Sequence, residues 1–313
     1  MTQAIVYTQF GGPEVLTLVE VPDPVPGDGE LAVRIEAAGV NPIDAKLRSA
    51  LRPSAAIEQP RRVGADASGI VTGIGPGTEG FRVGDPVVVV GMTGAYASAV
   101  AVPASQAWIR PTEVSAPQGA ALGIPVGTAY QTARSMAVGT GDTLLLHGGS
   151  GSVGQALIQF ARRWGATVVA TASPARFDRL RELGATPVAY GPGLADRVRA
   201  AAPQGVTVAI DAAGTDEALQ TSIELVGDRT RIATIVRGRD AAGLGIRAFS
   251  GGSPEPLTRQ QSAWRLEAIP VALALMTAGQ FSVELGHSLP LADAAGAHRL
   301  LETGTPGKVI LVP

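Results

Sequence analysis

Three glycines, Gly149, Gly151 and Gly154, stand with the spacing G-x-G-x-x-G inside the stretch LLLHGGSGSVGQALIQFARRWGA, residues 144–166. Each place asks for a residue without a side chain. The first turns the chain tightly and the second lets backbone approach a pyrophosphate. The third lets a helix pack close to the preceding strand, so that the N–H groups of its first turn point at phosphate oxygens. Ser150, Ser152 and Val153 fill the intervening places. In a chain with 40 glycines the spacing alone says little. Its surroundings say more. Leu144, Leu145 and Leu146 precede it as a buried strand would, and Val153, Leu157, Phe160 and Trp164 follow at helical spacing, with Gly165 where a helix ends. The alternative is a glycine-rich turn that binds nothing.

The next strand pattern, TVVATAS, decides between dinucleotides. NAD sites carry an acid about 20 residues beyond the first glycine to accept from the ribose 2′-OH. Here the strand ends at Ser173 with no acid, and Arg176 follows. A hydroxyl and a guanidinium suit a 2′-phosphate, so the expected cofactor is NADP(H). Arg179 and Arg181 are read as decorating the solvent face of a helix.

A second candidate lies in AAGVNPIDAKLRSALR, where Asn41 and Asp44 come just after a strand and Pro42 fixes the turn. Helical spacing puts Asp44 and Arg48 on one face and Lys46 on another. Two readings stay open: a helix cap, or a polar pair aimed at a substrate in which the Asn41 amide donates to a developing oxyanion. Asp66 and Asp85 are read as turn aspartates among flexible glycines. His147, His287 and His298 show no metal-ligand spacing, and the strand-ending His147 is expected to be a hydrogen-bonded structural residue. No G-x-S-x-G elbow occurs, and no tyrosine has a lysine four places on. With no cysteine, disulfides, thiolate catalysis and Cys-ligated zinc are excluded.

The elements around these residues fall into two textures. The first 120 or so residues hold short alternating runs such as LAVRIEAAG, ASGIVTGIG and YASAVAVP, broken by turn residues, as in a β-rich, barrel-like domain. From Ile124 strand and helix patterns alternate, which implies a parallel sheet covered on both faces. From Leu257 a long helix containing Pro270, expected to kink it, a shorter helix and a last strand close the chain. At 313 residues about two domains are expected. The net charge of −2 suggests neither nucleic acid nor a membrane surface as partner. No signal peptide or membrane-length apolar run is visible, so a cytoplasmic protein is expected.

Taken in order, AAGVNPIDAKLRS, GADASGIV…FRVGDPVVVV, GAYASAVAVP, IPVGTAYQT, HGGSGSVG, LRELGA and AHRLLETGTPGKVILVP resemble the medium-chain dehydrogenase/reductase superfamily, in particular its zinc-free quinone oxidoreductase branch. The resemblance covers nearly the whole chain. It implies an α/β protein in which a Rossmann doubly wound sheet, residues 125–262, is inserted into a GroES-like β-barrel domain, residues 1–124 plus 263–313. It also implies a homodimer and hydride transfer from NADPH to a quinone or related conjugated carbonyl, without a metal. Reduction of enal or enone C=C bonds, or NADPH sensing without turnover, are the alternatives on the same fold. By the resemblance, Asn41 and Asp44 match substrate-side positions in the cleft between the domains, Thr128 a threonine close to the nicotinamide, and Tyr190 a position near the 2′-phosphate. Some quinone reductases carry tyrosines where this chain has Lys46 and Arg52.

Overall fold

In the computed structural model, residues 1–52, 54–249, 253 and 255–313 are described. The chain forms two compact units, Met1–Ile124 with Ile269–Pro313, and Pro125–Ala268. The divisions fall inside two helices, Gly123–Ser135 and Arg259–Thr277; the second runs on through Pro270.

The second unit is built on a six-stranded sheet with every neighbouring pair parallel. Taken in sequence as one to six, the strands Thr143–His147, Thr167–Ala172, Thr186–Ala189, Val208–Asp211, Ile232–Thr234 and Arg247–Ala248 lie in the order 3-2-1-4-5-6, that of a Rossmann fold. Leu145, Val169, Ala209 and Ile232 pack with Leu194, Val198 and Leu219 of the crossover helices. The central strand TLLLH is buried along its whole length, because a parallel sheet is covered on both faces. The order reverses between the first and fourth strands, where His147 and Asp211 sit in register at the carboxyl ends.

The first unit holds a separate seven-stranded sheet, mostly antiparallel, and a three-stranded one. Alternating apolar residues of the strands Glu30–Gly39, Asp66–Ile74, Pro86–Val90 and Lys308–Val312 fill its core, including Val33, Ile35, Val71, Val87, Val89, Val309 and Leu311. One register matters below. Gly39 lies opposite Asp66 on one side and Ile310 on the other, so three strands that are remote in sequence end side by side. No helix among the described residues is long and apolar enough to cross a membrane.

Candidate functional site

In the second unit, the chain leaves His147 through Gly148, whose φ of +77° only glycine adopts readily. The tight turn is therefore made by Gly148 and not, as the spacing suggested, by Gly149. Gly149 meets a packing demand: a Cβ there would lie 2.8 Å from the Ala170 Cβ on the next strand. A Cβ on Gly154 would collide with the Gly148 carbonyl, so the third glycine does permit close helix–strand packing. Gly151 differs, since a Cβ there would find nothing nearer than 3.7 Å. Nothing inside the protein requires glycine at this place.

The helix Ser152–Arg163 then begins, with no side-chain cap from Gly151. The first amides of the helix, at Ser152, Val153 and Gly154, have no carbonyl within the helix to receive them. Uncapped amides, a helix dipole and a position with room for a neighbour form a cradle suited to a phosphate. The turn is fixed from the second strand. Thr171 accepts the Gly149 amide through its carbonyl at 2.9 Å and the Gly148 amide through Oγ1 at 3.2 Å. Oγ1 of Thr171 also lies 3.4 Å from Nδ1 of His147, whose Nε2 meets Ser222 Oγ at 3.2 Å. Burial pushes the His147 imidazole down to about 4, so it is neutral, as expected of a structural histidine. Asp211 is also structural. It accepts the Ala213 and Gly214 amides at 2.9 and 2.7 Å and the Thr234 hydroxyl at 2.8 Å.

Beside this turn, Ser173 follows the strand Thr167–Ala172, and Arg176 ends the short 3₁₀ segment Pro174–Arg176. Tyr190 follows the neighbouring strand. Because Ala172 pairs with Ala189, Ser173 and Tyr190 leave the sheet side by side. Tyr190 is 61% exposed, a large apolar surface held in solvent. Arg181 pairs with Asp178 on the surface, as expected. Arg179 departs from expectation: its Nε donates to the buried Gln155 side chain at 2.9 Å. Thr128 is buried in the helix Gly123–Ser135.

In the first unit, Asn41 precedes the helix Pro42–Arg48 as its N-cap, with Pro42 at the first position. Asp44 accepts the Asn41 backbone N–H at 2.9 Å, the reach-back of a capping box. The Asn41 side chain is committed elsewhere. Its Nδ2 donates to Asp66 Oδ2 at 2.9 Å and to the Gly39 carbonyl at 3.3 Å, and its Oδ1 accepts from Lys308 Nζ. Both amide hydrogens thus point at protein acceptors, which leaves none for a substrate oxygen in this arrangement. Asp44 and Arg48 do share the buried face, and Lys46 is only partly covered, as is Arg52.

Around this pair gathers a group that sequence spacing did not reveal. Tyr96 donates to Asp44 Oδ2 at 3.0 Å and lies 3.3 Å from His298 Nε2, ring edge to ring face. Asp66 Oδ2 also accepts the Ile124 amide at 2.9 Å. Arg48 pairs with Glu302 at 2.6 Å. The turn reading of Asp66 is therefore corrected: it begins a strand, is fully buried and partners Asn41. Asp85 remains a turn aspartate, accepting the Arg82 amide.

Burial pushes Asp44 up to about 7 and raises Asp66, while Lys308 is drawn down by burial against the pull of both carboxylates. Burial likewise holds His298 at about 4, with Arg48 lowering it further. Three glycines make room: Gly39 for the Ala120 carbonyl and, less tightly, the Lys308 stem, Gly64 for the Tyr96 ring and Gly123 for the Asp66 carboxylate. Among the described residues no group of three His, Cys, Asp or Glu is placed to hold a metal ion. The carboxylates of this cluster already serve Asn41, Tyr96 and a backbone amide, so its residues do not fit a zinc site.

The chain matches two family models: the alcohol dehydrogenase GroES-like domain over residues 27–112 and the zinc-binding dehydrogenase over residues 152–246. It is 30% identical to a quinone oxidoreductase of Salmonella typhimurium, over 100% of both chains. Against the pig quinone oxidoreductase it is 37% identical over 175 residues, so that this match spans 53%, about half, of the relative's length and 55% of this chain. Among solved structures, it aligns with the Escherichia coli quinone oxidoreductase complexed with NADPH at a TM-score of 0.84 and 27% identity, over 100% of both chains.

Proposed function

The chain belongs to the medium-chain dehydrogenase/reductase superfamily, in its quinone oxidoreductase branch, and on that premise we propose that it is an NADPH-dependent oxidoreductase that reduces quinones and related conjugated carbonyls without zinc. The observation that carries this reading is the cradle at Gly148–Gly154, which is uncapped, unobstructed at Gly151 and flanked by Ser173 and Arg176 where an acid would select NAD. Relatives named quinone oxidoreductase, and a neighbour solved with NADPH, support it.

The amides of Ser152, Val153 and Gly154 would hold the pyrophosphate, with Ser150 and Gly151 shaping the approach. Ser173, Arg176 and Tyr190, on adjacent strand ends, would receive the 2′-phosphate. Thr128 is assigned to the nicotinamide end. The chemistry that NADPH supplies when bound is a hydride from C4 of its nicotinamide ring. The chain's own contribution is to bind, orient and hold charge. A quinone delocalises the charge that develops on its oxygen, and its proton can come from water, so no acid–base triad is required. Asn41 and Asp44 take a positioning part: with their side chains bound to Asp66, Lys308 and Tyr96, they hold the helix Pro42–Arg48 and its neighbours Lys46 and Arg52 in place. A homodimer in the cytoplasm is the expected working form. The absence of cysteine and the engagement of the buried carboxylates support a zinc-independent reaction.

A panel of simple quinones, alkenals and enones, assayed by NADPH oxidation after exhaustive chelation, tests the reading. Turnover with quinones that survives chelation is the expected result. Turnover with alkenals alone would move the assignment to C=C reduction. Tight NADPH binding with no turnover would make the protein a sensor.

A further inference from the structure

We propose that Gln155, braced by Arg179, is the positioning residue of the nucleotide-binding turn. Gln155 lies on the first turn of the helix Ser152–Arg163 and is buried. Its Nε2 donates to the Ser150 carbonyl at 2.8 Å, and its Oε1 accepts from Arg179 Nε at 2.9 Å. A guanidinium can only donate, so Arg179 dictates which end of the Gln155 amide faces it and leaves the NH₂ end for Ser150. The Ser150–Gly151 peptide is thereby held at both ends. Its carbonyl goes to Gln155, and its N–H goes to the Gly148 carbonyl at 3.3 Å. That peptide plane leads directly into the amides of Ser152 and Val153, so fixing it fixes where they point.

The brace has a second consequence. Arg179 sits on the helix Phe177–Glu182, which continues from the segment bearing Ser173 and Arg176. One side chain thus ties the turn assigned to the pyrophosphate to the element assigned to the 2′-phosphate. Arg179 is further steadied by Glu182 at 3.3 Å. Two fixed anchor points spare a bound dinucleotide the cost of ordering the turn. This inference rests on the NADP(H) reading above, and it assigns a role to two residues which that reading does not use.

The test is the dissociation constant of NADPH and of NADH for the parent chain, Gln155→Met, Arg179→Met and Arg176→Ala, with Tm measured on each. Gln155→Met keeps the side-chain volume and removes the hydrogen bonds to Ser150 and Arg179. It should weaken NADPH and NADH alike, by about five- to tenfold, because both carry the pyrophosphate. Arg179→Met leaves the Ser150 contact in place and should weaken both by about two- to threefold. Arg176→Ala should weaken NADPH alone. Unchanged constants for both dinucleotides in a folded Gln155→Met protein would overturn the proposal. So would a loss confined to NADPH, since the residue would then act at the 2′-phosphate and not through the turn. If Gln155→Met lowers Tm steeply, Arg179→Met decides, and its binding both dinucleotides like the parent would overturn the brace. A parent that binds neither dinucleotide would instead remove the reading beneath it, and the proposal with it.

Discussion

The buried polar group of the first unit and the glycine turn of the second treat charge in opposite ways. Around Asn41 the chain turns every polar group inward. Asp44, Asp66, Arg48, Tyr96, His298 and Lys308 are all buried. Asp44 accepts from the Asn41 amide and Tyr96, Asp66 from the Asn41 side chain, and Lys308 donates to Asn41, while Arg48 Nε and Nη1 and His298 Nδ1 have no partner among the described residues. At Gly148–Gly154 it does the reverse: Thr171 and Gln155 brace the turn, and the amides of Ser152, Val153 and Gly154 are left without a side-chain cap. The first arrangement can define a structure; the second leaves the backbone amides that open a helix for a ligand.

The sharpest way to break this comparison is to disturb the inward group. Lys308→Met leaves Asn41 Oδ1 without its donor and removes the positive charge nearest the buried Asp66. Leaving a buried acceptor without its donor costs about 1–3 kcal/mol. Urea unfolding should show a loss of that order while NADPH binding, carried by the other unit, persists in the protein that remains folded. A stable Lys308→Met protein would mean that the cluster does not depend on its lysine.

The outward turn is tested by two glycines that look alike in sequence. Gly154→Val drives a Cβ into the Gly148 carbonyl and should lower Tm and cut NADPH affinity by about 100-fold or more. Gly151→Val meets nothing inside the protein nearer than 3.7 Å. It should leave Tm within a few degrees while still costing affinity, since the ligand is what needs the space. Equal losses of Tm in both would show that Gly151 serves the fold and not a phosphate.

A smaller effect separates the groups by pH. Asp44, pushed up to about 7 by burial, keeps its proton in the folded chain after the unfolded chain has lost it near 4. Its contribution to stability is therefore full at low pH and is lost as pH rises toward 7. His298, held at about 4 by burial, works the other way, and its contribution is lost as pH falls from 6.5 toward 4. Asp44→Asn removes the first slope, so stability at pH 8 relative to pH 5 should improve over the parent. An unchanged profile would show that Asp44 titrates as an ordinary carboxylate.

The same contrast explains what the sequence made legible. The turn was readable because its chemistry is backbone chemistry, written within a dozen residues and flanked by a strand and a helix. Even there, the tight turn falls on Gly148 and not on Gly149, since G-x-G-x-x-G spacing does not say which glycine takes a positive φ. The Arg179–Gln155 contact escaped because it joins two helices whose surface patterns look ordinary. Of the inward cluster only the local part, Asn41, Asp44 and Arg48, was readable, because they lie within one helix and its cap. Lys308 and Asn41 lie 267 residues apart, and only the register that sets Gly39 between Asp66 and Ile310 brings them together. Asp66 looked like a turn residue because local glycines are the visible signal, whereas its burial is set by strands elsewhere. Gly64 and Gly123 carried a hint, since both make room for cluster side chains, but that purpose shows only in three dimensions.

The central claim is that the turn and its flank bind NADPH in preference to NADH for reduction of a conjugated carbonyl. Steady-state kinetics with one quinone and each dinucleotide, on the parent and on Arg176→Ala, test it most directly. A charge-assisted contact to a phosphate is worth roughly 1.5–3 kcal/mol, so the parent should favour NADPH by at least about tenfold in kcat/KM. Arg176→Ala should erase most of that preference by weakening NADPH while leaving NADH nearly unchanged. Equal kcat/KM for the two dinucleotides in the parent protein would contradict the account.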